Sequence, residues 1–354
     1  MTAPIDRSLP AQIERVVIRP PNWLGDAVMA LPAMAALRLR FASAHLSIAA
    51  APSVAAIFRE DTDVWPDRVI ELPSGTRAAV AVLEGEGFDL GVLFPNSLRS
   101  AWQFRQARIR ERWGYARSGR GLLLTRRSRP EPRTGVVHQA DYYRDLVSGL
   151  GVACPPGAPP RLAARAPSVE RATALLHQHR VSDTARLVGV APGAAYGQAK
   201  QWPPDRMAAL IARLVREHQV TPLVVGASHD RDAGRAIESW LRREAPDVAP
   251  VVVNLTGRTS LGALIGVMQR TAVFVSNDSG AMHLAAAIGR PVVAIFGPTD
   301  ERATSPIGDH TVITHPVFCR PCMLRDCPID HRCMKRITTD AVYDAVAARL
   351  APAC

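Results

Sequence analysis

Three short polar stretches stand where an apolar run gives way to a helix-like run: Gly25-Asp26, the loop ending in Lys200, and Asn277-Asp278-Ser279-Gly280. Asp26 is a carboxylate at a helix start. It either caps and neutralises the helix or serves as a general base. Gly25 beside it lets a ligand approach the backbone closely. Lys200 follows the glycine-containing loop "APGAAYGQAK" and precedes a helix opened by Pro203-Pro204. A mobile turn, a lysine and a helix N-terminus together suit a phosphate, or else form a surface loop with a solvated lysine. The loop is neither GxxxxGK[ST] nor GxGxxG. In the third stretch, free N–H groups of Ser279, Gly280, Ala281 and Met282 suit a phosphate, and Asp278 suits ligand hydroxyls. His283, one turn on, reads first as a packed core histidine. A fourth place is "CRPCMLRDCPIDHRC", with cysteines 319, 322, 327 and 333 spaced C-x2-C-x4-C-x5-C. Four thiolates in one short loop can enclose a tetrahedral structural zinc, with His331 as a spare ligand. Reduced thiols and disulfides are the alternatives; Cys154 and Cys354 stand apart.

The elements that must position these residues alternate strand and helix. In the first half the strands are 15–19, 45–50, 68–72 and 88–94, with helices at 25–40, 53–60 and 76–87. The segment 97–134 is basic and less regular, with short strands expected around "IRERWGY" and "GLLLT" before a helix at "VHQADYYRDLVSGLG". Residues 152–167 hold five prolines and no periodicity, the composition of a linker. A second series follows: strands 186–192, 220–226, 251–257, 271–277 and 291–297, helices 204–218, 231–244, 261–270 and 279–289, and a last helix at 339–350. Repeated βα order predicts α/β architecture with two doubly wound parallel sheets. The expected domains are 1–155 and 156–335, with 336–354 a helix packing back on the first. Ligands of such sheets sit at the carboxyl ends of the strands, so the site is expected between the domains.

The chain has 354 residues, 47% hydrophobic and 21% charged, enough for two cores. Its 43 Lys+Arg against 32 Asp+Glu give a net charge of +11, and arginine dominates. That balance favours an anionic partner: nucleic acid, acidic lipid or a phosphorylated sugar. Aromatics are only 5%, without basic residues interleaved. Nucleic acid is therefore not expected as a partner. The first residues lack the apolar core of a secretory signal, and no apolar run approaches the ~20 residues of a membrane span. The reading is a cytoplasmic protein.

Taken together and in order, "PPNWLGDAVMALPAMAALR", "PGAAYGQAKQWP" and "SNDSGAMHLAAAIGRPVVAIFGPTD" resemble the ADP-heptose:lipopolysaccharide heptosyltransferases of glycosyltransferase family 9. "PNSLRSAWQFRQARIRERWGY" resembles the acceptor-side segment of that family. The resemblance implies the GT-B fold, two Rossmann-like domains facing each other across a cleft. It implies inverting transfer of L-glycero-D-manno-heptose from ADP-heptose to heptosyl-Kdo2-lipid A, without a catalytic metal. It places the general base on Asp26 and the phosphate-binding lysine on Lys200. Donor contacts fall on Gly193, Asp278, Ser279, Gly280, Ala281, Met282 and His283. Acceptor contacts fall on Asn22, Gly25, Ser97 and Arg99. The chain has Ala194 and Ala195 where some family members carry hydroxyl residues, leaving diphosphate contacts to the main chain or Tyr196. Protein heptosyltransferases that modify autotransporters resemble the cysteine cluster in binding iron through cysteine. Membrane association is expected to be peripheral, at the inner face of the inner membrane, with a basic N-terminal face meeting acidic lipids. Two alternatives stay open: another acceptor, either a different core sugar or a protein hydroxyl, and a non-catalytic nucleotide-sugar-binding protein.

Overall fold

The computed structural model describes residues 13–129 and 134–351. Cys354 lies outside them. The chain divides into two compact units, residues 1–160 and 161–354.

Six parallel strands form the sheet of the first unit: β1 (Arg15–Arg19), β2 (His45–Ala50), β3 (Arg68–Glu71), β4 (Leu90–Leu93), β5 (Glu111–Tyr115) and β6 (Arg126–Ser128). Their order is β3-β2-β1-β4-β5-β6. The second unit repeats the plan with β7 (Leu187–Ala191), β8 (Thr221–Val224), β9 (Val253–Asn254), β10 (Thr271–Asn277), β11 (Val292–Ile295) and β12 (His310–Ile313). Their order, β9-β8-β7-β10-β11-β12, reverses direction at the same place. Central strands such as Val16-Val17-Ile18 and Val273-Phe274-Val275 are fully buried, as helices on both sheet faces require. Gly189 has no side chain because the Phe274 ring of its register partner lies where a Cβ would be, 2.2 Å away.

The strand order places the residues named above. In a doubly wound sheet, the crevice opens where the winding reverses, at the carboxyl ends of the two strands flanking the reversal. Those strands are β1 and β4 in the first unit, followed by Asn22–Asp26 and Ser97–Arg99. In the second they are β7 and β10, followed by Gly193–Lys200 and Asp278–His283.

Several expectations change. The helix expected over 25–40 is two, Leu24–Met29 and Leu31–Arg40. Pro32 sits in the first turn of the second, where its missing N–H is tolerated, whereas mid-helix it would break the ladder. "GLLLT" is a 3-10 turn at Arg120–Leu123, and the edge strand is instead Arg126–Ser128. Helix Leu98–Gln106 occupies the segment read as irregular, and helix Ala166–Gln178 begins inside the supposed linker. The last helix, Thr339–Leu350, was expected to pack back on the first domain. It belongs to the second unit instead, because its apolar face, Val342, Val346 and Leu350, is part of the core built on helix Pro204–His218 and the central strands. Among the described residues, no helix is long and apolar enough to cross a membrane.

Candidate active site

In the first unit, Asp26 lies in the first turn of helix Leu24–Met29, just after β1. No side chain caps that helix, so its N-terminal N–H groups add positive potential beside the carboxylate. The Tyr143 hydroxyl, from helix Gln139–Ser148, donates to Asp26 Oδ1 at 2.9 Å. Burial foremost, and then the Asp26 charge, push the Tyr143 phenol well above its ordinary range. It therefore remains a donor throughout neutral pH and fixes the orientation of the carboxylate. Tyr143→Phe keeps the packed ring and removes the hydroxyl, with its bonds to Asp26 and Gln139. The expected outcome is a kcat lowered by about tenfold, one hydrogen bond's worth of positioning, with the donor KM unmoved. Steady-state kinetics check it; an unchanged kcat would show that Asp26 needs no orienting partner.

Two buried arginines shape the rest of this edge. Arg19, at the end of β1, donates to the Ala49 carbonyl at 3.0 Å and to Asn22 Oδ1 at 2.8 Å. Burial lowers its guanidinium to about 10. Arg120 is fully buried, donates to the carbonyls of Tyr115 and Pro95, and is likewise lowered to about 10 by burial. It holds the loop after β4. Both guanidiniums donate to main-chain and amide oxygens rather than to carboxylates, so their charge favours an anionic ligand at these strand ends. Ser97 caps helix Leu98–Gln106 by accepting from Ser100 N at 3.2 Å, and Arg99 is exposed in the first turn of that helix.

In the second unit, three side chains from three loops meet. Lys200 Nζ lies 2.6 Å from Asp278 Oδ2, and the Thr299 hydroxyl donates to the same oxygen at 2.6 Å. Their burial is nearly complete, with the Lys200 and Asp278 side chains 12% and 5% exposed. Asp278 therefore holds the lysine, in addition to any contact with ligand hydroxyls. Asn277 braces the same ends: its Nδ2 donates to the Pro192 carbonyl at 2.7 Å, and its Oδ1 accepts from Trp202 N at 3.1 Å. Lys200 and Lys335 are the only lysines of this arginine-rich chain.

Helix Gly280–Ala287 starts here with Ser279 as its N-cap, and no side chain satisfies its first N–H groups. The Ser279 hydroxyl is turned instead to Ser276 Oγ, 3.0 Å away. Capping by the polar turn is thus absent, and Gly280 and Ala281 are partly accessible at a helix N-terminus. Met282 N–H bonds the Ser279 carbonyl at 3.3 Å. Met282 and His283 are buried, the histidine 5% exposed, as the packed-core reading required. Gly193 makes room for a carboxylate, since a Cβ there would lie 2.0 Å from Asp230.

The cysteines need correction. Among the described residues, no group of three or more His, Cys, Asp or Glu side chains is disposed to hold a metal ion. Cys319, Cys322, Cys327 and Cys333 do line one small cavity with His331, and none is in a disulfide. Cys327 Sγ accepts the His331 N–H at 3.2 Å. Burial, reinforced by the three neighbouring sulfurs, pushes the Cys333 thiol up. The expected structural zinc or iron is not supported.

Thr299, Tyr143, Arg19 and Arg120 were not singled out in the sequence. Thr299 stands within "FGPTD" and carried a signal in that position. Tyr143 carried none, because it meets Asp26 across 117 residues of chain.

A parallel α/β unit is repeated in tandem, with polar loops after the strands at each reversal. The description Glycosyltransferase family 9 (heptosyltransferase) matches residues 77–332, so the chain belongs to that family. It is 28% identical over 319 residues to the lipooligosaccharide heptosyltransferase 2 of Haemophilus influenzae, covering 84% of this chain and 87% of that one. The solved structure of Escherichia coli ADP-heptose lps heptosyltransferase II superposes with a TM-score of 0.80 at 24% identity, covering 95% of this chain and 98% of that one. A family 9 glycosyltransferase from Veillonella parvula gives a TM-score of 0.81 at 19% identity, covering 98% and 99%. The fold is that of the GT-B heptosyltransferases, as expected.

Proposed function

We propose that this glycosyltransferase moves L-glycero-D-manno-heptose from ADP-heptose to heptosyl-Kdo2-lipid A, with inversion at the anomeric carbon. The observation that carries the donor side is the convergence of Lys200, Thr299 and Asp278 beside an uncapped helix N-terminus. Lys200 and the N–H groups of Gly280 and Ala281 bind the diphosphate and offset the charge that builds on departing ADP. Asp278 keeps Lys200 in place. On the acceptor side, Asp26, oriented by Tyr143, takes the proton from the attacking hydroxyl. Electrons flow from that oxygen to the anomeric carbon while the bond to the diphosphate oxygen breaks, releasing ADP. The positive strand ends around Arg19 and Arg120, with exposed Arg99, favour an acceptor rich in carboxylates and phosphates. The relative named lipooligosaccharide heptosyltransferase 2 supports the second-heptose acceptor over others.

The test supplies labelled ADP-heptose with Kdo2-lipid A, heptosyl-Kdo2-lipid A or a protein acceptor. Label entering only heptosyl-Kdo2-lipid A is expected. Transfer to Kdo2-lipid A or protein instead would replace the acceptor in this reading.

The net charge of +11 supports peripheral attachment to anionic lipid. The expected outcome is release from anionic vesicles by 1 M salt, at which the Debye length falls to about 3 Å. Retention at that salt, in a sedimentation assay, would mean that something other than charge holds the protein.

A further inference from the structure

The cysteine-rich loop, residues 318–331, touches both loops whose side chains converge on Asp278. Toward the Lys200 loop it makes three hydrogen bonds. Tyr196 OH donates to the Met323 carbonyl at 2.9 Å. Ala199 N donates to the Arg325 carbonyl at 2.9 Å. His331 Nε2 lies 2.7 Å from the Ala199 carbonyl and must carry the proton, since a carbonyl only accepts. Toward the Thr299 loop it makes three more. Met323 N donates to the Pro298 carbonyl at 2.9 Å. Arg320 donates to the carbonyls of Gly297 at 2.7 Å and Thr299 at 3.1 Å, and is itself held by Glu301 at 2.5 Å.

The approach is close enough to dictate sequence. A Cβ on Gly197 would lie 2.4 Å from the Arg325 carbonyl oxygen and 2.9 Å from its carbon. Gly197 has an extended backbone, so steric approach and not conformation requires glycine there. His331 sits at φ 59°, the left-handed region that a non-glycine residue adopts only when its surroundings hold it. Cys327 supplies part of that hold through its sulfur. The remaining thiols line a small cavity with His331.

We infer that this loop is a positioning element of the donor site, and that His331 is its key residue, setting Lys200 through the Ala199 carbonyl. The inference rests on the reading of Lys200 as a diphosphate ligand. It gives Cys327 a role in holding His331.

The test is calorimetric titration of ADP into the full chain and its variants, together with donor and acceptor KM. His331→Ala is expected to weaken ADP binding about tenfold, the worth of one lost hydrogen bond, and to leave the acceptor KM unchanged. His331→Gln keeps an N–H donor and recovers most of the affinity. Gly197→Ala leaves His331 and every thiol in place and weakens ADP by about tenfold or more as the loops part. Lys200→Met separates the two readings. If it loses ADP affinity while His331→Ala and Gly197→Ala bind as the parent chain does, the positioning role is overturned and the donor reading stands. Wild-type ADP affinity in Lys200→Met overturns both. Equal losses toward donor and acceptor, tracking a fall in Tm, would show that the loop only stabilises the fold.

Discussion

Asp26→Asn is expected to lower kcat by about 10²- to 10⁴-fold, the usual contribution of a positioned general base, while leaving ADP affinity unchanged. The amide is nearly the same size and still accepts the Tyr143 hydrogen bond, so the local structure should survive. What disappears is the basicity needed to take a proton from a sugar hydroxyl. A decade of rate is about 1.4 kcal/mol, so the loss corresponds to roughly 3–5 kcal/mol of transition-state stabilisation. Measured kcat and calorimetric ADP binding check the two halves separately. Turnover near that of the parent chain would remove Asp26 from the role of base, and a parallel loss of ADP binding would show that it acts on the fold.

Lys200→Met carries the second large effect, and it should appear in both stability and activity. The pair is buried, so removing the ammonium strands the Asp278 carboxylate with Thr299 as its remaining donor. Breaking one side of such a pair costs about 3–5 kcal/mol, far more than a surface ion pair. Adding Asp278→Asn removes the stranded charge while keeping an acceptor for Thr299, so Tm should recover in the double variant. Turnover should not, because the charge facing the departing diphosphate is still missing. The expected loss in kcat for the single variant is about 10²- to 10³-fold, with weakened ADP binding. Thermal unfolding of the parent chain and the two variants tests the pairing, and a Tm unchanged by Lys200→Met would deny that the pair contributes.

The alternation of strands and helices was legible because buried parallel strands such as Val16-Val17-Ile18 are continuous apolar runs. Their ends were marked by Gly25-Asp26, Lys200 and Asp278, and the structure sets these at the reversal of each sheet. What could not be read were contacts made at long range by ordinary residues. Arg120 looks like one of many arginines until its burial is seen, and Tyr143 like any helical tyrosine. Helix Leu98–Gln106 was obscured by its mean polarity, since only one face of it, Ala101 and Phe104, reaches the core. The thiol cluster misled for a different reason. Spacing brings sulfurs into one neighbourhood, where Cys327 accepts the His331 N–H, but among the described residues no metal-holding group forms.

The most direct test is stoichiometry. Purified protein is given ADP-heptose and heptosyl-Kdo2-lipid A, and ADP release is measured beside heptose incorporated into the lipid. The proposed transfer predicts one heptose on the acceptor for each ADP released, with release dependent on acceptor and lost in Asp26→Asn. ADP-heptose bound without either product, or ADP released with no sugar on the lipid, would contradict it.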